Sequence, residues 1–189
     1  MNKIIPVEVS ARHIHLSQKD VEKLFGKNHE LKKLKDLTLP GEFAAKEMVE
    51  IKTSKGKLNL RVVGPARKDI QIELSITDTI KLGIKPVIKI SGDIKNTPGV
   101  LLVGPKGKIR LSRGVIVTQR HIHCTPKEAE KLGLKNKQIV SVRVKGKRGL
   151  VFDQVGIRVK DNYKLVMHVD TDEGNAAGIN QKTVGFLAI

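Results

Sequence analysis

Four of the six histidines in this chain occur as two His-x-His pairs, His13 with His15 and His121 with His123. The pairs end two similar phrases, Ser-Ala-Arg-His-Ile-His and Thr-Gln-Arg-His-Ile-His, which lie 108 residues apart. On a β-strand, residues i and i+2 project from the same face, so each pair would present two imidazoles side by side. Paired imidazoles are suitable ligands for Zn²⁺. The duplication therefore predicts two equivalent metal sites, or one paired site, in a chain with two similar halves.

A second repeated segment supplies a third candidate ligand for each histidine pair. Gly83-Ile84 matches Gly178-Ile179 at an offset of 95 residues, and this alignment places Glu73 opposite His168. Catalytic zinc sites take three protein ligands and keep a position open for substrate. The residue types alone leave cobalt and manganese as alternatives to zinc. The two predicted ligand sets are His13, His15 and Glu73, and His121, His123 and His168.

Three further side chains with reactive groups lie near these segments. Cys124 follows His123 directly, so it should face away from the imidazoles and pack in the core, as its repeat equivalent Leu16 should. His29 lies in a polar stretch and is expected in an exposed loop. Arg67 ends a Gly-Pro-Ala-Arg turn six residues before Glu73, where its guanidinium fork would suit a phosphate or a carboxylate.

Short strands are the elements that must position these residues. Many segments alternate aliphatic and polar residues, whereas aromatic residues make up only 3% of the chain. Ser17 and Thr125 are predicted helix caps directly after the two histidine pairs. A further short helical turn is expected near 77–84 and near 172–179. We therefore predict a mainly β fold of two small β-barrels, related by internal duplication and capped by short helices.

Composition narrows the possible partners and the compartment. The net charge of +17 favours anionic partners. Nucleic acid is not expected, because single-strand binders stack bases on aromatic side chains and the chain has one Tyr, four Phe and no Trp. A single cysteine precludes an internal disulfide. With no signal peptide or long apolar run recognised, we expect a cytoplasmic protein that does not contact membranes.

The complete motif set resembles the PduL-type phosphotransacylases, the phosphate propanoyltransferase family. The resemblance rests on the paired Arg-His-Ile-His phrases, on Gly-Pro-Ala-Arg ahead of Glu73, and on His168 ahead of Asp-Thr-Asp-Glu-Gly-Asn. It extends over essentially the whole chain. It implies an enzyme that exchanges a short acyl group between coenzyme A and inorganic phosphate, with one zinc ion on each of the two ligand sets.

The resemblance also implies domain boundaries and substrate contacts. The N-terminal strand would complete the barrel of the C-terminal half, so we expect one domain at 12–119, with a polar insertion near 28–45, and another at 1–11 plus 120–189. Arg67 would be the catalytic, phosphate-binding arginine. A homodimer is expected, and the short segment ahead of Ser10 indicates a free enzyme of acetate rather than propanediol metabolism. The implied coenzyme A contacts are Val9, Ser10, Ala11, Lys55, Arg61 and Asn175.

Two other functions are compatible with parts of the pattern. A zinc-dependent hydrolase of thioesters or related substrates would use the same ligands with water as the nucleophile. A basic nucleic-acid-binding module would need structural zinc with four protein ligands, whereas each set here offers three. No Ser or Cys lies beside a base in the motif, so we expect direct acyl transfer without an acyl-enzyme. The motifs leave acetyl and propanoyl substrates equally possible.

Overall fold

The computed structural model describes residues 4–188, which form fifteen strands and four helices. In chain order the strands are β1 Ile4–Val9, β2 His13–His15, β3 Lys33–Asp36, β4 Phe43–Lys52, β5 Lys57–Gly64, β6 Gln71–Leu74, β7 Ile88–Lys89, β8 Leu101–Val103, β9 Lys108–Arg110, β10 Val115–Thr118, β11 His121–Cys124, β12 Ile139–Val144, β13 Leu150–Val159, β14 Val166–Val169 and β15 Val184–Ala188. The helices are α1 Gln18–Phe25, α2 Ile76–Leu82, α3 Pro126–Leu132 and α4 Thr171–Ala177.

The chain divides into two compact units. The C-terminal unit contains the described parts of Met1–Ala11, Thr38–Pro40 and Gln119–Ile189. The N-terminal unit contains Arg12–Leu37 and Gly41–Thr118. The first strand of the chain therefore belongs to the unit that is built mainly from the C-terminal half.

The C-terminal unit is a closed barrel of six strands in the order β1-β14-β11-β13-β12-β15, with β15 pairing back onto β1. Closure leaves no free sheet edge in this unit's barrel. Its interior is filled by aliphatic side chains from alternate strand positions, which pack with Phe152. Ile122, between the two histidines of β11, is fully buried in this core.

The N-terminal unit contains a nine-stranded, curled sheet in the order β7-β10-β6-β2-β5-β4-β8-β9, with β3 paired to β4 at the side. Ile14, between the two histidines of β2, is fully buried in its aliphatic core. This sheet forms a half-barrel, whereas the sheet of the other unit closes. The predicted class, a mainly β fold of two duplicated barrel-type modules with short helices, is confirmed.

The pairing registers show that the two units repeat one arrangement. In the N-terminal unit, β2 lies between β5, which is parallel to it, and β6, which is antiparallel. In the C-terminal unit, β11 lies in the same way between β13 and β14. The helices after these strands correspond as well, since α2 and α4 each begin with a capping box and end at a left-handed glycine, Gly83 or Gly178.

Each unit also takes one strand from the opposite half of the chain. β1, which precedes the first histidine pair, lies parallel to β14 in the C-terminal unit. β10, which precedes the second pair, lies parallel to β6 in the N-terminal unit. Glu8 pairs with His168, and Ile116, 108 residues further along the chain than Glu8, pairs with Glu73. The exchange is therefore reciprocal and keeps the register of the repeat.

The helices are short and are defined by their caps. Ser17 and Thr125 cap α1 and α3, as predicted, and their side chains accept hydrogen bonds from the third residue of each helix. Pro126 occupies the first turn of α3, where its missing N–H costs nothing. Within residues 4–188, no helix has the length and apolarity needed to cross a membrane.

Candidate metal centres

The first candidate centre is formed by two adjacent antiparallel strands of the N-terminal unit. His13 on β2 pairs directly with Glu73 on β6, and His15 pairs with Gln71. The His13 Nε2 and Glu73 Oε2 atoms lie 3.7 Å apart. Ligand atoms from His13, His15 and Glu73 all lie within 4.8 Å of one another. Strand register thus brings together the three residues that the sequence placed in one set.

Hydrogen-bond donors surround the carboxylate of Glu73. Gln71 Nε2 and Ser91 Oγ donate to Oε1 at 2.6 and 2.9 Å. Thr118 Oγ1, from β10, donates to Oε2 at 2.6 Å. Gln71 is itself buried, and its Oε1 accepts from the backbone N–H of Gly92 at 2.7 Å. These donors hold Glu73 in its ionised form and in one orientation, as expected for a carboxylate that ligates a cation.

Burial keeps His15 in its neutral form. Only 2% of the residue is exposed, and Nδ1 lies 3.2 Å from the Val63 carbonyl oxygen. Desolvation lowers the pKa of His15 to about 3, with further lowering from His13 and Arg67. When Nδ1 donates its proton to Val63, Nε2 is left as an unprotonated donor atom for a metal.

The second candidate centre repeats this geometry in the C-terminal unit. His121 on β11 pairs directly with His168 on β14, the same register as His13 with Glu73. Ligand atoms from His121, His123 and His168 lie within 4.8 Å of one another. His121 and His123 are 6% and 3% exposed, so the imidazoles are largely shielded from water. The Tyr163 ring packs edge-on against His123, with ring centroids 4.3 Å apart.

The imidazoles of His121 and His123 approach each other through their Nε2 atoms, which are 2.8 Å apart. His121 Nδ1 lies 2.8 Å from the Gln119 carbonyl oxygen. If Nδ1 donates to that carbonyl, the neutral His121 ring offers a bare Nε2, and a proton or a cation must separate it from His123 Nε2. A metal ion can take the place of that proton, because it needs both nitrogens unprotonated.

Both centres fit a small, nitrogen- and oxygen-binding divalent cation. Zinc bonds of about 2.0–2.1 Å in a tetrahedral arrangement place neighbouring donor atoms about 3.4 Å apart. The measured separations of 2.8 and 3.7 Å lie on either side of that value. Three donors per centre leave one position for a substrate atom. The structure therefore contains two groups of His and Glu side chains that could hold metal ions.

Arg67 lies beside the first centre. Its backbone N–H donates to the Leu16 carbonyl at 2.8 Å, which anchors the turn next to His15. Its Nη2 donates to Glu42 Oε1 at 2.8 Å, and 37% of the Arg67 side chain remains exposed. The guanidinium is therefore accessible to a ligand but already carries a carboxylate partner, which the sequence did not reveal.

The predicted coenzyme A residues fall into a group in each unit. In the C-terminal unit, Val9, Ser10 and Ala11 follow one another at the end of β1, and Val9 packs against Gly174 in α4. Asn175, the next residue of α4, is exposed. The structure thus brings Val9 and Asn175 to the same part of this unit.

Lys55 and Arg61 belong to the N-terminal unit. Lys55 lies in the β4–β5 turn, where its aliphatic stem covers Gly83 at the end of α2. Arg61 Nη1 donates to the carbonyl oxygens of Ala45 and Lys46 at 2.8 and 3.4 Å. The Arg61 guanidinium therefore already stabilises the irregular part of β4.

Cys124 and His29 can be compared with their predicted surroundings. Cys124 is fully buried in the barrel core, and Leu16 is fully buried at the equivalent position, as expected. Burial, and to a lesser degree Glu128, raises the pKa of the Cys124 thiol to about 11. The expectation of an exposed His29 is wrong in part: it lies in a loop, but its Nε2 is 2.8 Å from Glu47 Oε1 and its ring stacks on Phe25. The buried Glu47 carboxylate draws this ring toward the sheet.

Several residues around the centres were not recognised in the sequence. Gln71, Ser91 and Thr118 are ordinary polar residues of strands and loops, and nothing in their local pattern distinguishes them. Two ion pairs, Arg12 with Asp78 and Arg120 with Glu173, were detectable in principle. They follow the two repeat offsets of 108 and 95 residues.

The fold and site define a mainly β protein with two repeated modules, each carrying three potential metal ligands. The family model of phosphate propanoyltransferases matches residues 6–180. The phosphate propanoyltransferase of Sebaldella termitidis is 51% identical over 183 residues, which are 96% of this chain and 86% of that protein. The one from Thermotoga maritima is also 51% identical, over 97% of this chain and 88% of that protein.

A third relative, the phosphate propanoyltransferase of Lachnoclostridium phytofermentans, is 52% identical over 93% of this chain and 83% of that protein. Identity at this level over nearly the whole length shows common descent and a common fold. The chain belongs to the phosphate propanoyltransferase family, and it is a phosphate acyltransferase.

Proposed function

We propose that this enzyme exchanges a short acyl group between coenzyme A and inorganic phosphate, using two zinc ions. The observation that carries the proposal is the pair of three-donor centres in matching strand register, within a chain of the phosphate propanoyltransferase family. His13, His15 and Glu73 would hold one ion, and His121, His123 and His168 the other. Zinc bound there would supply Lewis-acid stabilisation of negative charge on the acyl, thiolate or phosphate groups.

The residues near the first centre support a phosphate site there. Arg67 would bind phosphate through its planar fork, in exchange for the carboxylate of Glu42 that it now contacts. The orientation of phosphate toward the acyl carbon would lower the entropic part of the barrier. Because His15 is neutral, it adds no positive charge that would repel the metal.

Direct attack of phosphate on the thioester is part of the proposal. Cys124 is buried and its pKa is raised to about 11, so its thiolate would be scarce at neutral pH. The Ser91 hydroxyl near the first centre donates to the Glu73 carboxylate. Neither group is placed as an activated nucleophile, which supports transfer without an acyl-enzyme.

The coenzyme A contacts proposed are Val9, Ser10, Ala11 and Asn175 in the C-terminal unit, with Lys55 and Arg61 in the N-terminal unit. The proximity of Val9 to the segment that bears Asn175 supports the first group. The accessible Lys55 supports a contact with a coenzyme A phosphate.

A homodimer in the cytoplasm completes the proposal. Ile76 and Ile80, one turn apart on α2, are 42% and 70% exposed, and a partner copy would remove them from water. The single buried thiol suits a reducing compartment. Light scattering of the purified enzyme measures the assembly state directly.

The activity is tested by release of free thiol from acetyl- and propanoyl-coenzyme A, with and without phosphate. Release that requires phosphate and yields acyl phosphate supports the proposal. Release at the same rate without phosphate would identify a thioester hydrolase instead. Comparing the two thioesters also determines the preferred acyl chain.

A further inference from the structure

One ion pair is repeated beside both candidate metal centres. Arg12 Nε lies 3.3 Å from Asp78 Oδ2 in the N-terminal unit. Arg120 Nε lies 3.3 Å from Glu173 Oε1 in the C-terminal unit. The arginine and the Nε contact are the same in the two copies, although one acid is Asp and the other is Glu.

The spacing of each pair relative to the metal ligands is also the same. Arg12 immediately precedes His13, as Arg120 precedes His121. Each acid follows the third ligand of its centre by five residues, Asp78 after Glu73 and Glu173 after His168. Each ion pair thus connects the start of the strand that carries the histidine pair with the segment just beyond the third ligand.

Both acids also belong to the first turn of a helix. Asp78 Oδ2 accepts from the backbone N–H of Ser75, the cap of α2, at 3.4 Å. Glu173 Oε2 accepts from the N–H of Asp170, the cap of α4, at 3.0 Å. Each acid therefore holds the first turn of its helix through one hydrogen bond while it receives the arginine, and that turn begins immediately after the strand of the third ligand.

We propose that Arg12 and Arg120 are positioning residues that set the distance between each histidine pair and its third ligand. β2 has three residues and pairs with β6 at three positions, so few ladder hydrogen bonds define that distance. A charged link beyond the ladder restrains both strands at the ligand end. Outer contacts of this kind tune the affinity of metal sites, because they limit the movement of the ligands.

The alternative is that these are ordinary surface ion pairs, which contribute little to stability. Two features distinguish them. The carboxyl side chain of Asp78 is only 9% exposed and that of Glu173 is 22% exposed, so water screens these contacts less than a surface pair. The pair also persists in both copies although the third ligand has changed from a carboxylate to an imidazole, which indicates that its geometry matters more than the ligand type.

The inference rests on the proposed metal binding and is tested with zinc alone, by competition with a chelating dye. Two single-centre proteins are used: His121→Ala/His123→Ala retains the first centre, and His13→Ala/His15→Ala retains the second. Arg12→Gln in the former and Arg120→Gln in the latter should each weaken zinc binding about 10- to 100-fold. The reciprocal combinations, with the arginine beside the deleted centre, should leave affinity unchanged.

Glu128→Gln is the matched control, because Glu128 is the capping-box acid of α3 and accepts from the N–H of Thr125 at 2.8 Å. It should leave zinc affinity within about threefold of its parent, well below the loss expected of an outer contact to a ligand. Adding Glu173→Gln to Arg120→Gln should cause no further loss if both act through one contact.

Circular dichroism without metal checks that each variant is folded, and Arg12→Lys and Arg120→Lys, judged by the same affinity criterion, replace any glutamine variant that is not. Arginine variants that bind zinc as tightly as their parents would overturn the inference while leaving metal binding intact. Equal losses in the reciprocal combinations would also overturn it. Absence of zinc binding by the wild-type protein would refute the metal centres, and this inference with them.

Discussion

The protonation state of individual side chains governs how each candidate centre can be loaded. His15 illustrates this, because burial keeps its imidazole neutral and its Nδ1 faces the Val63 carbonyl. A neutral ring binds metal without first releasing a proton. The same burial carries a cost for the metal-free protein when the solution becomes acidic.

We predict that the metal-free protein loses stability on acidification because of His15. The usual pKa of 6.5 falls to about 3 in the folded protein, so the unfolded chain takes up the proton first as the pH drops. The contribution is complete above about pH 6.5 and declines toward pH 3, by about 2 kcal/mol between pH 7 and pH 5. Urea unfolding of wild type and His15→Gln at both pH values measures it. A decline of the same size in the variant would assign the effect to other groups.

Arg67 is expected to act on phosphate rather than on the metal. Lys keeps the positive charge but loses the planar fork, so Arg67→Lys should raise the Michaelis constant for phosphate at least tenfold, about 1.4 kcal/mol. The constant for acyl-coenzyme A and the zinc content should change little. Steady-state kinetics with each substrate varied in turn, beside metal analysis, make the test. An effect confined to coenzyme A would return Arg67 to a purely structural role with Glu42.

Strand order determines what surrounds the third ligand of each centre. β10 comes from the far end of the N-terminal unit and lies beside β6, which places the Thr118 hydroxyl 2.6 Å from Glu73 Oε2. In the C-terminal unit, β1 occupies the equivalent position and brings Glu8 next to His168, with 3.9 Å between Glu8 Oε2 and His168 Nε2. The two centres therefore share ligand geometry but differ in the groups that support the third ligand.

Removing the Thr118 hydroxyl should weaken the first centre selectively. Thr118→Val keeps the shape of the side chain but leaves Glu73 Oε2 without this donor, so zinc affinity there should fall about tenfold or more. Thr118→Ser, which restores a hydroxyl, is the matched control and should recover most of the affinity. The readout is zinc competition in the protein that lacks His121 and His123. Equal affinity in all three proteins would show that Gln71 and Ser91 suffice to hold Glu73.

At the scale of the whole molecule, the duplication predicts two metal ions per chain that can be removed independently. Purified enzyme should contain about two equivalents of zinc, one for each three-ligand centre. Changing His121 and His123 together to Ala should remove one equivalent and retain the other, because each set of donors lies within one unit. Metal analysis of protein purified without chelators gives the count. Finding no transition metal, or losing both equivalents together, would contradict independent centres.

The internal repeat makes much of the site predictable from the amino-acid sequence. The offset of 108 residues pairs the histidines, and the offset of 95 residues places Glu73 opposite His168. Alternation along a strand then puts His13 and His15 on one face, with Ile14 in the core. The helix caps at Ser17 and Thr125 are equally local, and their prediction is confirmed.

Tertiary structure alone decided the contacts that depend on pairing between distant strands. The donors around Glu73 come from positions 2, 18 and 45 residues away, and the partner of Arg67 lies 25 residues away. No periodicity relates such residues, because sheet order and loop paths bring them together. The exposed position expected for His29 was wrong for the same reason, since Glu47 lies on another segment.

The sequence by itself determined the ligand types, their grouping in threes and the β character of both halves, because these follow from side-chain chemistry and from local period. It did not determine that one sheet closes and the other curls as a half-barrel. Closure depends on β15 finding β1 across almost the whole chain. That pairing is a choice among many possible strand neighbours, and it is made by the burial of complete sheet faces rather than by any short stretch of residues.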